Sequence, residues 1–417
     1  MTSLGRSLAA GVVAILVALG GCDGTIGQHD GDGGPGDAPP GESGPSIDDA
    51  GPTDDAAGDG DGAPPTDAPP PADAPAVAPY SFVVYGDNQF ATESCTSGVN
   101  ERLAIPEAIK AAAPTFIVHT GDLMDHGYDA GAYAKFVSCY QSMLDAYALF
   151  PTMGNHDAGS GAVWAYKTFL EDLLQTRNPA AYGAGFATDF TIWYEDDPNP
   201  YSTDPSSPGS TTDVPSGFSF KTFYAVRFRR TLFVSLEVGT RWWSDTPKSW
   251  LRGHLERAEG DAGIDHIVVF LHHPIYSTTM TDGGTGDSVG PVRAAYEPIL
   301  AAAHKVRLVF GGHAHVYDRM YVPWDGAATR TDTPPATYPL GAGIQYIVTG
   351  GGGGPLPDCT TFNPVQETSW DYSQVRRCGY HFLKVTVAGN RLTVDTTKVA
   401  GSAASWTTTD WDHFTIE

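Results

Sequence analysis

The chain contains the stretch Phe116-Ile117-Val118-His119-Thr120-Gly121-Asp122, an apolar run that ends in Gly and Asp. Four further apolar runs end in Gly or in Asp, Asn, Gln or His side chains, at residues 82–89, 152–157, 267–273 and 308–315. Ligands bind at the carboxyl ends of strands in open α/β sheets. One Gly-Asp pair is a common turn, but five such strand ends in series predict an α/β protein with a single metal site.

The segments between these runs predict the rest of the domain. Helical periodicity extends over residues 101–113, 130–148, 164–176, 247–257 and 292–303. Residues 218–228 and 232–237 are predicted strands, and residues 380–387 and 391–398 a hairpin around Ala388-Gly389-Asn390. Residues 178–216 have no periodicity, and a loop of that length is usually a lid, a binding loop or disordered.

The N-terminus has the features of a bacterial export signal. Arg6 precedes an apolar stretch at residues 8–19 that is too short for a comfortable membrane span. Leu19-Gly20-Gly21-Cys22 matches a lipobox, in which Cys22 becomes the lipidated first residue; a cleaved signal that happens to carry a Cys is the alternative. We therefore expect residues 1–22 to be a signal peptide of an extracytoplasmic lipoprotein in the periplasm or at the cell surface, or of a secreted protein if Cys22 is not lipidated.

Residues 23–79 consist mainly of Gly, Pro, Ala and Asp. They hold 13 of the 49 acidic residues and no Lys, Arg or aromatic residue. Such a segment buries too little apolar surface to offset its ordering entropy, which predicts a disordered acidic linker; calcium loops at its Asp-Gly repeats are the alternative. The net charge of −25 and the lack of a basic stripe argue against long nucleic acids as partners.

Four cysteines besides Cys22 suggest two disulfides in an exported protein. Proximity along the chain favours Cys95–Cys139 and Cys359–Cys378, although three connectivities are possible. Metal thiolates are the alternative, but the chain has no Cys-x-x-Cys spacing.

The series of strand ends resembles the calcineurin-like metallophosphoesterases. Two segments resemble their purple acid phosphatase branch, His272-His273-Pro274-Ile275-Tyr276 and Gly312-His313-Ala314-His315-Val316-Tyr317-Asp318-Arg319. The resemblance covers residues 80–417 and implies one catalytic domain. Its implied fold is the family's four-layer α/β/β/α sandwich, in which two mixed β-sheets are flanked by helices.

The resemblance also implies a centre of two divalent metal ions with a bridging hydroxide nucleophile. Asp122 matches the carboxylate that bridges both ions, and His156 is the candidate catalytic group, which either protonates the leaving alkoxide or stabilises the phosphoryl oxygens. Asp157 either orients His156 or caps the following segment. The other matched ligands are Asp87, Gln89 and His315 for the first ion and Asn155, His272 and His313 for the second.

Two positions depart from the family pattern. Gln89 stands where the family has His, so it either offers a neutral amide oxygen or leaves the position to water. Oxygen ligands favour Mn²⁺, Fe²⁺ or Mg²⁺ over Zn²⁺. Asp125 stands where purple acid phosphatases have the Tyr whose bond to iron gives their colour, so we expect no purple Fe(III) site.

Substrate contacts are less clearly marked in the sequence. Arg241, next to Trp242 and Trp243, is a candidate for a phosphate contact, and His273 and Tyr276 are candidates for the pocket wall. A surface or core role is the alternative for each. Pro355-Leu356-Pro357, which follows the glycines of residues 350–354, is a candidate for another wall.

The residues together predict metal-dependent hydrolysis of a small phosphate ester, with phosphomonoesters preferred. A phosphodiesterase acting on cyclic nucleotides or glycerophosphodiesters is the enzymatic alternative. A catalytically weak surface binding protein that keeps the fold is the alternative from another class. The departures at Gln89 and Asp125 leave it open, and the intact His156 and the complete ligand set for the second ion argue against it. An envelope anchor that works through the linker is a third alternative.

Overall fold

A computed structural model describes residues 78–90, 95, 100–127, 130–158, 163–194, 222–237, 245–283, 288–361 and 363–417. They fall within one compact unit, Pro71–Glu417. The predictions for Cys22 and the signal peptide, for the linker up to residue 77, and for Arg241, Trp242 and Trp243 concern positions outside the described residues.

The described residues form fifteen strands and seven α-helices. In chain order they are β1 (Tyr80–Tyr85), α1 (Glu101–Ala112), β2 (Phe116–His119), α2 (Ala130–Leu144), β3 (Ala148–Pro151), α3 (Val163–Asp172), a π-helical turn (Leu173–Arg177), α4 (Asn178–Tyr182), α5 (Phe186–Asp189), β4 (Phe190–Tyr194), β5 (Tyr224–Phe228), β6 (Thr231–Leu236), α6 (Asp245–Gly260), β7 (His266–Leu271), α7 (Gly290–Ala301), β8 (Val306–Gly311), β9 (Tyr317–Pro323), β10 (Thr337–Tyr338), β11 (Gly343–Thr349), a 3₁₀ turn (Thr368–Tyr372), β12 (Ser373–Arg377), β13 (His381–Ala388), β14 (Arg391–Ser402) and β15 (Ser405–Ile416).

The strands form two mixed sheets. The first has the order β10-β15-β14-β13-β1-β2-β3, and the second has the order β12-β9-β11-β8-β7-β6-β5-β4. Strands β1, β2 and β3 are parallel neighbours, and so are β6, β7, β8 and β11. All five predicted site segments follow strands of these parallel blocks, so their carboxyl ends share an edge within each sheet.

Aromatic side chains pack the two sheets against each other. Phe82 of β1 stacks on Phe116 at 5.6 Å between ring centroids, and it meets Phe233 of β6 edge-on at 5.0 Å. Helices α6 and α7 cover the outer face of the second sheet, where Leu251 and Ile299 are buried. Helix α1 covers the first sheet at β13 and β14. The predicted four-layer sandwich is therefore confirmed.

The largest error in the predicted elements lies around β3. The helix predicted to reach Ala148 ends at Leu144, because residues 148–151 form the strand. The predicted third apolar run, residues 152–157, is therefore the loop that follows β3. Part of the predicted aperiodic segment is also ordered, as α4, α5 and β4. Phe190 of β4 joins the aromatic core, 5.5 Å from Phe116, which tertiary packing provides and local periodicity does not.

Both predicted disulfides are present. Cys95–Cys139 and Cys359–Cys378 have Cα–Cα distances of 5.4 and 5.5 Å. The first ties the segment after β1 to α2, and the second joins the loop after β11 to the residue that follows β12. Two disulfides indicate an extracytoplasmic location. Among the described helices, none is both long and apolar enough to cross a membrane.

A buried ion pair joins the two sheets. Arg319 of β9 is fully buried, and its Nε donates to Asp412 Oδ2 of β15 at 2.6 Å. Tyr317 Oη donates to the same carboxylate oxygen at 2.6 Å. The guanidinium also donates from Nη1 to the hydroxyl of Tyr338 at 2.9 Å. Arg319, the last residue of the second family-like segment, therefore holds together the fold beneath the site.

We expect Arg319→Ala to lower the free energy of unfolding by about 3–5 kcal/mol, because it leaves the Asp412 carboxylate buried and unpaired. Arg391→Ala is the matched control, since Arg391 pairs with Glu417 at 3.3 Å with both side chains half exposed. The control should change the unfolding free energy by less than about 1 kcal/mol. Urea unfolding followed by tryptophan fluorescence measures both, and equal effects would contradict this role of Arg319.

Candidate metal centre

Four of the predicted ligands occupy strained backbone positions. Asp87, Gln89, Asp122 and His313 have φ values of 60°, 43°, 53° and 68°. Non-glycine residues rarely adopt this left-handed region, and such strain concentrates at functional sites. In the described part of the chain only two other non-glycine residues have positive φ. The backbone therefore departs from ordinary geometry mainly where it presents these side chains.

Backbone hydrogen bonds hold the ligand loops together. The amides of Asp87 and Gln89 donate to the carbonyls of Gly121 and Asp122, both at 2.9 Å. The amide of Gly312 donates to the carbonyl of His272 at 2.8 Å, across the second sheet. The loops therefore support one another.

One half of the centre gathers an amide oxygen and two imidazoles. Asn155 Oδ1 lies 2.8 Å from His272 Nε2 and 2.9 Å from His313 Nδ1. His272 Nε2 is also 3.4 Å from Asp122 Oδ1. Loops after β3, β7, β8 and β2 supply these atoms. This cluster contains the whole set of residues predicted for the second ion.

The residues predicted for the first ion also lie close to one another. Asp122 Oδ2 is 3.4 Å from Gln89 Nε2, and Asp87 Oδ1 is 3.5 Å from His315 Nε2. Asp87 Oδ2 is buried and has no hydrogen-bond partner among the described residues. Asp122 Oδ1 therefore lies near His272, and Asp122 Oδ2 lies near Gln89.

These residues fit divalent cations. Asp87 and Asp122 are 0% and 1% exposed, and a buried carboxylate needs a compensating positive charge. Burial opposes the ionisation of Asp122, but the neighbouring His272 holds its pKa below the usual range. Burial likewise opposes protonation of His272, and Asp122 outweighs it and raises the pKa of His272 to about 9. Asp87, Asp122 and His272 also bring three ligand atoms within 4.8 Å of one another.

His156 is placed beside this cluster by Asp125. Its Nδ1 donates to the backbone carbonyl of Asp125 at 2.8 Å and lies 3.4 Å from that residue's carboxylate. Its Nε2 is 3.9 Å from Asp122 Oδ2. Because a carbonyl oxygen only accepts, Nδ1 carries a proton and Nε2 faces the centre. In the sequence Asp125 is marked only as a departure from the family pattern, and no local signal there indicates its contact with His156.

Asp157 does not contact the His156 imidazole through either carboxylate oxygen. It is fully buried and accepts hydrogen bonds from the amides of Leu123, Met124 and Gly154 at 3.3, 3.1 and 3.0 Å. The hydroxyl of Tyr133 donates to it at 3.1 Å. The expected orienting role therefore has no support in these contacts, and Asp157 instead joins the loops that carry Asp122 and Asn155.

A cavity of about 600 Å³ opens beside the centre at His313 and His315. Its wall includes Pro355, Leu356 and Pro357, as the sequence suggested, and also Met280, which the sequence analysis missed. The Cys359–Cys378 disulfide follows this wall in the chain. The centre is therefore open to a small molecule.

The two candidate pocket residues after β7 have different positions. His273 stacks on His313 with ring centroids 4.1 Å apart, so it supports a predicted ligand directly. Tyr276 does not line the cavity at His313. Its ring packs against Tyr346 at 4.7 Å, on the outer face of the second sheet. The sequence could not distinguish the two residues, because the direction of a side chain after a strand end depends on the conformation of the loop.

Known proteins share sequence with this chain in the region of the candidate metal centre. Residues 80–317 match the family model described as calcineurin-like phosphoesterase. An uncharacterised protein of Mycobacterium tuberculosis is 34% identical over 117 residues, which are 26% of this chain and 21% of that protein. A phosphoenolpyruvate phosphatase of Allium cepa is 27% identical over 171 residues, which are 41% of this chain and 34% of that protein.

Among solved structures, a purple acid phosphatase from yellow lupin (Lupinus luteus) seeds is similar to this chain. The TM-score is 0.55 at 15% sequence identity, covering 82% of this chain and 54% of that chain. This likeness concerns the fold alone. The chain spans between a fifth and a third of the length of the curated relatives it matches. Because the family model matches more than half of the chain, this protein belongs to the calcineurin-like phosphoesterase family.

Proposed function

We propose that this protein hydrolyses small phosphate esters at a centre of two divalent metal ions, with phosphomonoesters preferred. The observation that carries the proposal is the position of Asp122, whose Oδ1 lies 3.4 Å from His272 Nε2 and whose Oδ2 lies 3.4 Å from Gln89 Nε2, one residue from each predicted ligand set. The phosphatase name of the onion protein supports the preference for monoesters.

Asp122 would contact both ions. Bound there, two divalent ions would polarise a phosphoryl oxygen and lower the pKa of a coordinated water towards neutrality. Carboxylate and amide oxygens make up half or more of the donors, which favours Mn²⁺ or Fe²⁺, with Mg²⁺ or Zn²⁺ as alternatives. The remaining ligands would be Asp87, Gln89 and His315 on one side and Asn155, His272 and His313 on the other.

Glycine makes room for these ligands. A Cβ on Gly154 would lie 2.0 Å from Asp122 Oδ1, and one on Gly312 would lie 2.4 Å from Asp87 Oδ2. Both carboxylates therefore occupy space that any other residue would fill. Gly154 and Gly312 therefore leave the space that the Asp122 and Asp87 side chains occupy, in addition to allowing the chain to turn.

His156 is the group of this chain best placed to hold a proton for the leaving alkoxide. The Asp125 carbonyl fixes the ring through Nδ1, so that Nε2 points towards the centre. The side chain is 37% exposed, which lets a substrate reach it. Its backbone amide donates to Asp122 Oδ1 at 2.9 Å, so the position of the proposed proton donor is fixed relative to the proposed bridging ligand.

The cavity beside His313 and His315 suits the alcohol part of the ester. Met280, Leu356 and the flanking prolines provide apolar contacts, and Thr279 and Thr361 add hydroxyl groups.

A chromogenic monoester and a chromogenic diester, compared on the metal-loaded protein, test the proposal. We expect kcat/KM to be higher for the monoester; a higher value for the diester would mean a phosphodiesterase. Turnover of neither ester would favour the binding-protein alternative.

We also propose that Cys22 anchors the domain to a membrane by lipid and that residues 23–79 act as its acidic tether. The disulfides of the domain agree with this location. We expect Cys22→Ala to move the protein from the membrane fraction to the soluble fraction. An unchanged distribution would contradict the anchor.

We expect Gly154→Ala to lower metal affinity at least tenfold, because the added Cβ collides with Asp122 Oδ1. Gly260→Ala is the matched control, since a Cβ there meets nothing within 4 Å. Titration with Mn²⁺ followed by calorimetry measures both variants. Equal Mn²⁺ affinity of the Gly154→Ala variant and the unchanged protein would mean that Asp122 does not hold the metal.

We expect His156→Ala to lower kcat by about 10²–10⁴-fold, because the substitution removes the general acid. Metal content should stay unchanged, because His156 is not one of the proposed metal ligands. His413→Ala is the control, since His413 is an exposed imidazole that pairs with Asp395 at 2.7 Å. Steady-state kinetics and elemental analysis on the same preparations separate the two effects. A normal kcat for His156→Ala would remove His156 from the mechanism.

A further inference from the structure

The loop after β7 lines a second cavity besides the one at the metal centre. This cavity has a volume of about 470 Å³, within the range of small-molecule sites. Tyr276 lines it, four residues after the candidate ligand His272. None of its lining residues belongs to the cavity at His313 and His315.

Aromatic rings form much of its wall. Tyr276 and Tyr346 are 5% and 2% exposed, and Tyr372 meets Tyr276 edge-on at 5.6 Å between centroids. Trp324 adds a fourth ring. Arg293 lies 5.1 Å from the centroid of Tyr276, so this wall already holds one cation against a ring. Ring faces attract cations through their quadrupole, most strongly where water is excluded.

One carboxylate of the wall, that of Glu297, has no hydrogen-bonded partner of its own among the described residues. The guanidinium of Arg293 is paired, because its Nη2 is 2.5 Å from Asp282 Oδ1. Glu297 lies one helical turn further along α7 and lines the same cavity. Glu297 is half-buried and makes no hydrogen bond or ion pair with any residue in the described ranges. Burial raises its pKa, and Arg293 opposes the shift only in part.

A buried hydroxyl next to the cavity also has no partner. The hydroxyl of Tyr346 makes no hydrogen bond among the described residues, although Tyr346 is almost completely buried. Buried polar groups are usually paired, so an unpaired one beside a cavity points to a ligand or a water there. The Glu297 carboxylate and the unpaired Tyr346 hydroxyl, set among four aromatic rings, therefore form a candidate binding site for a positively charged molecule.

We propose that this cavity binds a small organic ammonium ion, with its alkylated nitrogen against the aromatic wall and its charge opposite Glu297. This site is separate from the metal centre and does not depend on the proposed hydrolysis. The loop from His272 to Tyr276 links the two places along the chain.

Calorimetric titration of the metal-loaded full chain with choline chloride tests the proposal. The uncharged carbon isostere 3,3-dimethylbutan-1-ol is the matched ligand, because it has the same shape without the charge. We expect choline to bind at least about tenfold more tightly than the isostere, from cation–π and carboxylate contacts. Sodium chloride at equal concentration corrects for ionic strength.

Glu297→Gln keeps the shape of the wall and removes its charge, so we expect it to abolish the preference for choline. Glu256→Gln on α6 is the control, since Glu256 is exposed and does not line this cavity. Tyr372→Leu removes one ring and should weaken choline binding with the charge intact. Equal affinity for choline and the isostere, no binding of either, or unchanged binding by Glu297→Gln would each overturn the proposal.

Discussion

Two buried carboxylates, Asp87 and Asp122, are the constraint around which this domain is built. Both lie almost completely out of water at the junction of the two sheets, which is unfavourable unless cations and hydrogen-bond donors surround them. Each receives a backbone amide from a distant loop: His313 N donates to Asp87 Oδ1 at 2.8 Å, and His156 N donates to Asp122 Oδ1. The loops that carry His313 and His156 are therefore held in place by the two carboxylates that they surround.

The architecture keeps those loops in register. Parallel strands bring several strand ends to one edge, and the packing of the two sheets brings both edges together. Asp157 joins the loops after β2 and β3, and the Arg319–Asp412 pair joins β9 to β15 across the sheets. The strained φ values of four candidate ligands are maintained by this surrounding structure, because isolated loops would relax to ordinary backbone geometry.

The fold and the strand ends that carry the candidate ligands could largely be predicted, because each depends on a local pattern. An apolar run followed by Gly and a candidate ligand identifies a strand end. The two residues Gly389-Asn390 determine the β13–β14 turn, where Gly389 has a φ of 59°. Contacts between distant loops could not be predicted. The partner of His156 is Asp125, 31 positions earlier, and Asp157 turns away from its neighbour towards Leu123 and Met124. Tyr276 shares a motif with His272 and yet faces the other side of the sheet.

The proposed position of Asp122 between two metal ions can be tested with a crystal of the Mn²⁺-loaded protein, measured at the manganese absorption edge. We expect two peaks in the anomalous difference map, one on each side of Asp122, with the first near Asp87 and His315 and the second near Asn155, His272 and His313. A single peak would contradict the dinuclear centre, and two peaks that do not share Asp122 would contradict its bridging position.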